Sequence, residues 1–225
     1  MRIPYASDAA SNAEDETIYQ RIKDRRAPRP LIPLDLALLH NSAIADGYNS
    51  LLGAIRTKTS LSPALMELAI SYVGVLTNAT YEWTAHSALA VKAGVTLEKL
   101  EKLLQRERTW SGFSDEERAV LEFTEQSTLQ VRVNDAVFER VKTLLGSDQK
   151  IMELSITIGA YNMHLRGETI FASSTLRIQN DRLHASNKES TPSSLLECNT
   201  ATMRDKIASL TTRKRLAQCA DVHLQ

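Results

Sequence analysis

The sequence predicts an all-α fold, and three observations carry that prediction. Apolar residues recur at spacings of three and four along most of the chain. Helix-start and helix-stop residues punctuate the pattern at regular intervals. The one strand-like run, Val131 to Val133, is too short to argue for a sheet, and no Gly-rich hairpin pairs occur. With 225 residues, 43% of them hydrophobic, the chain can bury one sizeable core, or one core plus an appendage.

Thr17 to Arg26 reads as a short charged helix, followed by the Pro-containing connection APRPLIPLD. Ile44 to Thr57 repeats Leu51, Leu52 and Ile55 at helical spacing. Ser62 followed by Pro63 supplies an N-cap and a first-turn proline for the helix PALMELAISYVGVLTN. Thr80 to Ala93 forms the next helix, with Gly94 as its C-cap, and TLEKLEKLLQ begins another at Thr96. Ser114 and Glu117 make a capping box that starts a helix at about Asp115 and carries it to about Leu129. NDAVFERVKTLLG closes at Gly146, and a last helix runs from Ser147 towards Leu165 or beyond. MELAISYVG at Met66 to Gly74 is echoed by MELSITIGA at Met152 to Ala160, which suggests an internal duplication, the alternative being a chance match of Met, Leu and Ile on two buried helices.

From about Arg177 the composition turns to Ser, Thr and Asn, so residues 1–176 read as the domain and 177–225 as a polar extension, partly helical or flexible. Within the extension Met203, Ile207 and Leu210 have helical spacing, and the Arg213 to Arg215 run reads as a solvated face. The two cysteines, Cys198 and Cys219, both fall here, so no disulfide framework supports the domain. Lys plus Arg number 27 and Asp plus Glu 27, which gives no electrostatic reason to bind nucleic acid or an anionic membrane. With no signal-like amino terminus and no segment of about 20 apolar residues, the expectation is a cytoplasmic protein whose partner is a small molecule.

One region stands out chemically. Between Leu61 and Val91 there is no Lys, Arg or Asp, and the only charged or readily charged side chains are Glu67, Glu82 and His86. Helices this free of charge are expected to be buried on most sides, where an ionised carboxylate needs a partner. Glu82 and His86 are i and i+4, on one helical face, and a short connection near Asn78 lets Glu67 approach them from the preceding helix. The three groups can then share protons in a partly dry pocket. A buried network that only fixes helix register is the plainer alternative. A metal site is disfavoured, because no local Cys or second His completes a ligand set.

The run SLSPALMELAISYVGVLTNATYEWTAHSALAVKAGVTLEKLEKLL resembles the carboxymuconolactone decarboxylase-like family, which includes the AhpD-type alkylhydroperoxidases. RIPYA near the start, ALLHNSAIADGYNSLLGAIRTKTSL, and IGAYN near Tyr161 extend the resemblance to roughly Arg2 through Leu176. It implies an AhpD-like helical fold and a homo-oligomer, a trimer or hexamer. The AhpD-type branch carries a Cys-x-x-Cys pair ahead of its histidine. Aligned on Glu67 and His86, those two positions hold Ala79 and Glu82, so a thiol peroxidase is not expected. The decarboxylase branch has a Glu, an aromatic residue and a His at the spacing of Glu82, Trp83 and His86.

Loss of CO₂ beside an unsaturated lactone or ketone leaves a carbanion that is delocalised as an enolate and then protonated. A general acid and a hydrogen-bond donor suffice, so no cofactor is expected. On the resemblance, His86 transfers the proton, Glu82 or Glu67 tunes and orients it, and Tyr81 either donates to the enolate or is a core aromatic. Arg56 is the candidate clamp for a substrate carboxylate, its alternative being a helix-end salt bridge. His40, Trp83, Tyr161 and Asn162 complete the candidate substrate-binding set, while His164 reads as structural or exposed. The leading reaction is decarboxylation. Isomerisation, dehydration or cyclisation by the same His/Glu pair is the alternative, and a non-catalytic binding oligomer is the contrasting class.

Overall fold

The computed structural model describes residues 3–171, with side chains through 165. The polar extension, its helical spacing, the basic run and both cysteines lie outside the described residues. Among the described residues there are nine helices and no strand: α1 (Ala13–Arg26), α2 (Pro33–Leu38), α3 (Ser42–Thr57), α4 (Pro63–Leu76), α5 (Thr80–Lys92), α6 (Leu97–Leu104), α7 (Asp115–Leu129), α8 (Asp135–Leu145) and α9 (Asp148–Phe171). No helix among them is long and apolar enough to cross a membrane. The chain divides into two units, one of residues 3–59 with α9 from His164, the other of residues 60–163.

In the first unit α1 and α2 pack on α3 around Tyr19, Ile22, Leu39 and Ala45. Helix α1 starts earlier than the expected Thr17, because Asn12 caps it by accepting from the Asp15 N–H. Helix α3 likewise starts at Ser42, where the Asn41 side chain accepts from Ile44 N–H. Helix α2 replaces the expected connection. Pro33 opens it, and Asp35 accepts from the backbone N–H of Ile32 at 3.0 Å and from Arg26 at 2.8 and 2.9 Å. Proline read as a breaker was here a starter.

In the second unit α4 packs against α5, α6 and α7, and α7 packs against α8. Every α4 residue from Leu65 to Leu76 is buried, which explains why the helix tolerates so little charge. Gly74 sets the distance to α5, since a Cβ there would lie 3.0 Å from Trp83 N and 3.4 Å from Glu82 Cβ. Ser62 sits at the N-cap position of α4 but makes no side-chain capping bond, so Pro63 alone carries the start signal. Helix α5 ends one residue before the expected glycine, with Ala93 as C-cap. Gly94 follows at φ +99°, its N–H bonding Val91 O at 3.0 Å while Val95 N–H bonds Ala90 O at 2.9 Å, a Schellman closure. The Ser114/Glu117 capping box is formed in both directions, at 3.1 and 2.8 Å. Gly146 ends α8 in the left-handed region.

Candidate active site

Helices α4 and α5 run antiparallel: Gly74 near the end of α4 meets Glu82 and Trp83 near the start of α5, and Glu67 near the start of α4 meets His86 further along α5. Within this hairpin all three charged groups of the otherwise charge-free segment are buried, and two of them meet. Glu67 is 3% exposed, Glu82 1% and His86 5%. His86 Nδ1–H donates to Glu67 Oε2 at 2.7 Å. A carboxylate that accepts from Nδ1 fixes the tautomer and the ring plane. The sequence left Glu67 and Glu82 as alternative partners; Glu67 accepts the imidazole hydrogen bond, across the helix pair. The ordinary surface pair that an i, i+4 Glu and His would otherwise suggest is excluded by this burial.

Tyr161 on α9 covers the imidazole, edge to face, with ring centroids 4.8 Å apart and planes at 85°. It is itself buried. Its neighbour Asn162 donates to Thr128 Oγ1 at 3.1 Å and to Ile158 O at 3.0 Å, so it ties α9 to α7.

Two expected site residues take other places. Trp83 is fully buried in the apolar cluster with Leu68, Tyr72, Leu103 and Phe113, the position of a core residue rather than of a substrate wall. Tyr81 is 41% exposed, so it is not the core aromatic of the alternative reading, and it lies about 140° round the helix from His86. His40 and Arg56 belong to the first unit. His40 is exposed and donates from Nε2 to Pro4 O at 2.7 Å; Arg56 is half-buried near the end of α3.

The structure also reveals a buried pair involving His164, which the sequence reads as structural or exposed. In the first unit the Tyr48 hydroxyl and His164 Nδ1 are hydrogen-bonded at 2.6 Å, both groups buried. Tyr48 falls on the buried face of α3, but 116 positions separate the partners, and no local spacing signals such a contact.

Nearby in the second unit, burial and then the charge of Glu125 push the Tyr72 phenol up to about 12, against the opposing pull of Arg108 and Arg106. Tyr72 is therefore a neutral hydroxyl at physiological pH. Among the described residues no group of three His, Cys, Asp or Glu could hold a metal ion.

Comparison with known proteins agrees with this architecture. Residues 42–126, which span α3 to α7, match the Carboxymuconolactone decarboxylase family. A solved structure titled as an alkylhydroperoxidase AhpD core, an uncharacterized peroxidase-related protein from Ralstonia eutropha JMP134, aligns with TM-score 0.61 and 18% identity over 75% of this chain and 88% of that one. An uncharacterized peroxidase-related protein from Silicibacter sp. TM1040 aligns with TM-score 0.59 and 18% identity over 75% and 90%. No curated protein matches the sequence. The fold is thus AhpD-like, as the resemblance implied.

Proposed function

We propose that this chain, similar over residues 42–126 to the carboxymuconolactone decarboxylase family, is a cofactor-free acid–base enzyme that decarboxylates an unsaturated, carboxylated small molecule. The observation that carries this reading is the buried His86–Glu67 hydrogen bond, which presents one oriented imidazole proton donor in a helix pair whose only other charged side chains are Glu82 and Lys92. The C–C bond to the carboxylate breaks, CO₂ leaves, and the electron pair passes to carbon and is delocalised onto the conjugated carbonyl oxygen. The Nε2–H of His86 protonates that carbon, and solvent later returns the proton to the ring. Glu67 holds the ring through Nδ1 and offsets the positive charge of the imidazolium before transfer.

Thiol peroxidase chemistry, which the peroxidase-related neighbours bring to mind, lacks its nucleophile here: the two positions of the Cys-x-x-Cys pair are Ala79 and Glu82. Roles for Glu82 as a second acid–base group, for Tyr81, Arg56 and His40 in substrate binding, and for a trimer or hexamer, stand on the resemblance alone. The test is a metabolite extract incubated with wild-type protein or with His86→Ala and compared by mass spectrometry. A feature that loses the mass of CO₂ only with the wild type supports the reading. A feature that changes retention but not mass points to an isomerase or cyclase, and identical extracts would overturn catalysis by His86.

A further inference from the structure

Helical hydroxyls in this protein share a habit. Thr77, Thr84, Thr124, Ser155 and Thr157 each donate to the carbonyl four residues back, at 2.7 or 2.8 Å. Ser71, in the middle of α4, departs from it. It is fully buried, and its Oγ has no hydrogen-bond partner among the described residues. The carbonyl of Glu67, four residues back in the same helix, would satisfy it with a simple rotation about χ1. A buried hydroxyl left without a partner calls for an explanation, and a bound water or ligand supplies one.

The register of the helix pair says what it faces. Gly74 is level with Glu82 and Trp83. Ser71 lies three residues back along α4, about 4.5 Å, which in an antiparallel pair is level with Ala85 and His86. Glu67, Ser71 and Gly74 are i, i+4 and i+7, so Ser71 shares the stripe of α4 that offers Glu67 to the imidazole. The other buried helical serine with no partner among the described residues, Ser87, sits about 100° round α5 from His86 and off this face.

We infer that Ser71 is a substrate-binding residue of this site, its hydroxyl donating to an oxygen of the molecule that His86 protonates. The ligand chemistry is a carbonyl or carboxylate oxygen on an unsaturated small molecule, or a water that holds the same place when substrate is absent. The identity of the ligand rests on the acid–base reading above; the unpartnered state of the hydroxyl does not.

The test is a crystal structure of the full chain, soaked with muconolactone and unsoaked. An oxygen of the soaked molecule, or an ordered water, within hydrogen-bond distance of Ser71 Oγ on the His86 side of α4 is the expected result. An Oγ turned onto the Glu67 carbonyl in both crystals would overturn the inference. In the extract assay, Ser71→Ala is expected to lower turnover at least tenfold while the melting temperature holds or rises, since no intramolecular bond is lost. Unchanged turnover, or a lowered melting temperature, would count against it. If His86→Ala leaves turnover intact while the Ser71 contact is present in the crystal, the acid–base reading fails and the contact stands.

Discussion

Replacing Glu67 by Gln tests the central pair with the least disturbance of shape. Glu67 and His86 are almost fully buried and joined at 2.7 Å, so their bond is a charge-assisted one shielded from water whenever the ring is protonated. Such bonds contribute about 1.5–3 kcal/mol more than leaving the groups apart. If that contribution is expressed in the protonating transition state, Glu67→Gln should slow turnover by about 10- to 150-fold, at roughly 1.36 kcal/mol per factor of ten. The fold should hardly notice, because the Gln carbonyl still accepts from Nδ1–H. Glu67→Ala should differ: it strands a buried N–H, costs about 1–3 kcal/mol, and lowers the melting temperature by roughly 2–12 °C in a chain of this size. Turnover in the extract assay and thermal unfolding by circular dichroism, measured on both variants, separate the effects. A Glu67→Gln protein that keeps more than half of wild-type turnover, in an assay that His86→Ala abolishes, would refute the role given to the carboxylate.

Three further outcomes follow from the structure. Glu153 is buried, which alone would raise its carboxyl, yet hydrogen bonds from Gln149, the Ser60 hydroxyl and the backbone N–H groups of Ser60 and Leu61 outweigh burial and hold it below the ordinary carboxylate range. A group depressed in the folded state stabilises above its unfolded value, about 4.3, and that stabilisation fades as pH falls through the folded value. Glu153→Ala should therefore cost about 2–3 kcal/mol at pH 7 in urea unfolding and show a smaller further loss towards pH 3 than the wild type. Tyr72→Phe removes a buried hydroxyl with no hydrogen-bond partner among the described residues, so stability at pH 7 should hold or rise by up to about 1 kcal/mol. Because the raised phenol makes the folded state resist ionisation, the wild type should lose stability as pH climbs past about 10, and the Phe variant should lose less. Gly74→Ala forces a methyl to 3.0 Å from Trp83 N; prising α4 from α5 should cost about 1–3 kcal/mol by thermal unfolding and should weaken turnover by shifting the Glu67–His86 register.

Much of the helical order was legible because it rests on local chemistry. The capping box at Ser114, the closing glycines at 94 and 146, and the charge-free stretch that becomes buried α4 and α5 all act within a few residues of their own signal. Helix α2 was not, because Pro33 both ends and begins segments and only the reach of Asp35 to Ile32 and Arg26 decides which. The candidate site divides the same way. Glu67, Glu82 and His86 could be found as the residual charge of two apolar helices, but the choice of Glu67 as the bonded partner depends on the crossing at Gly74. Tyr161 over His86, and Tyr48 against His164, join residues tens of positions apart, where no periodicity operates.

The echo between the two nonapeptides shows how little the local sequence decides about chemistry. Glu67 and Glu153 hold the same place after methionine in MELAISYVG and MELSITIGA, and both are buried, at 3% and 6% exposure. Glu153 Oε2 receives two backbone N–H groups and a hydroxyl, donors that cannot give up a proton near neutral pH, so its charge is held in place and it ties the 60–61 connection to α9. Glu67 accepts instead from an imidazole, the Nδ1–H of His86. The same buried carboxylate is a fixed structural anion in one helix and, under the proposed function, half of a proton-handling pair in the other. What separates them is the segment each helix meets, a connection that brings two backbone N–H groups and a hydroxyl to Glu153 and a neighbouring helix that brings His86 to Glu67.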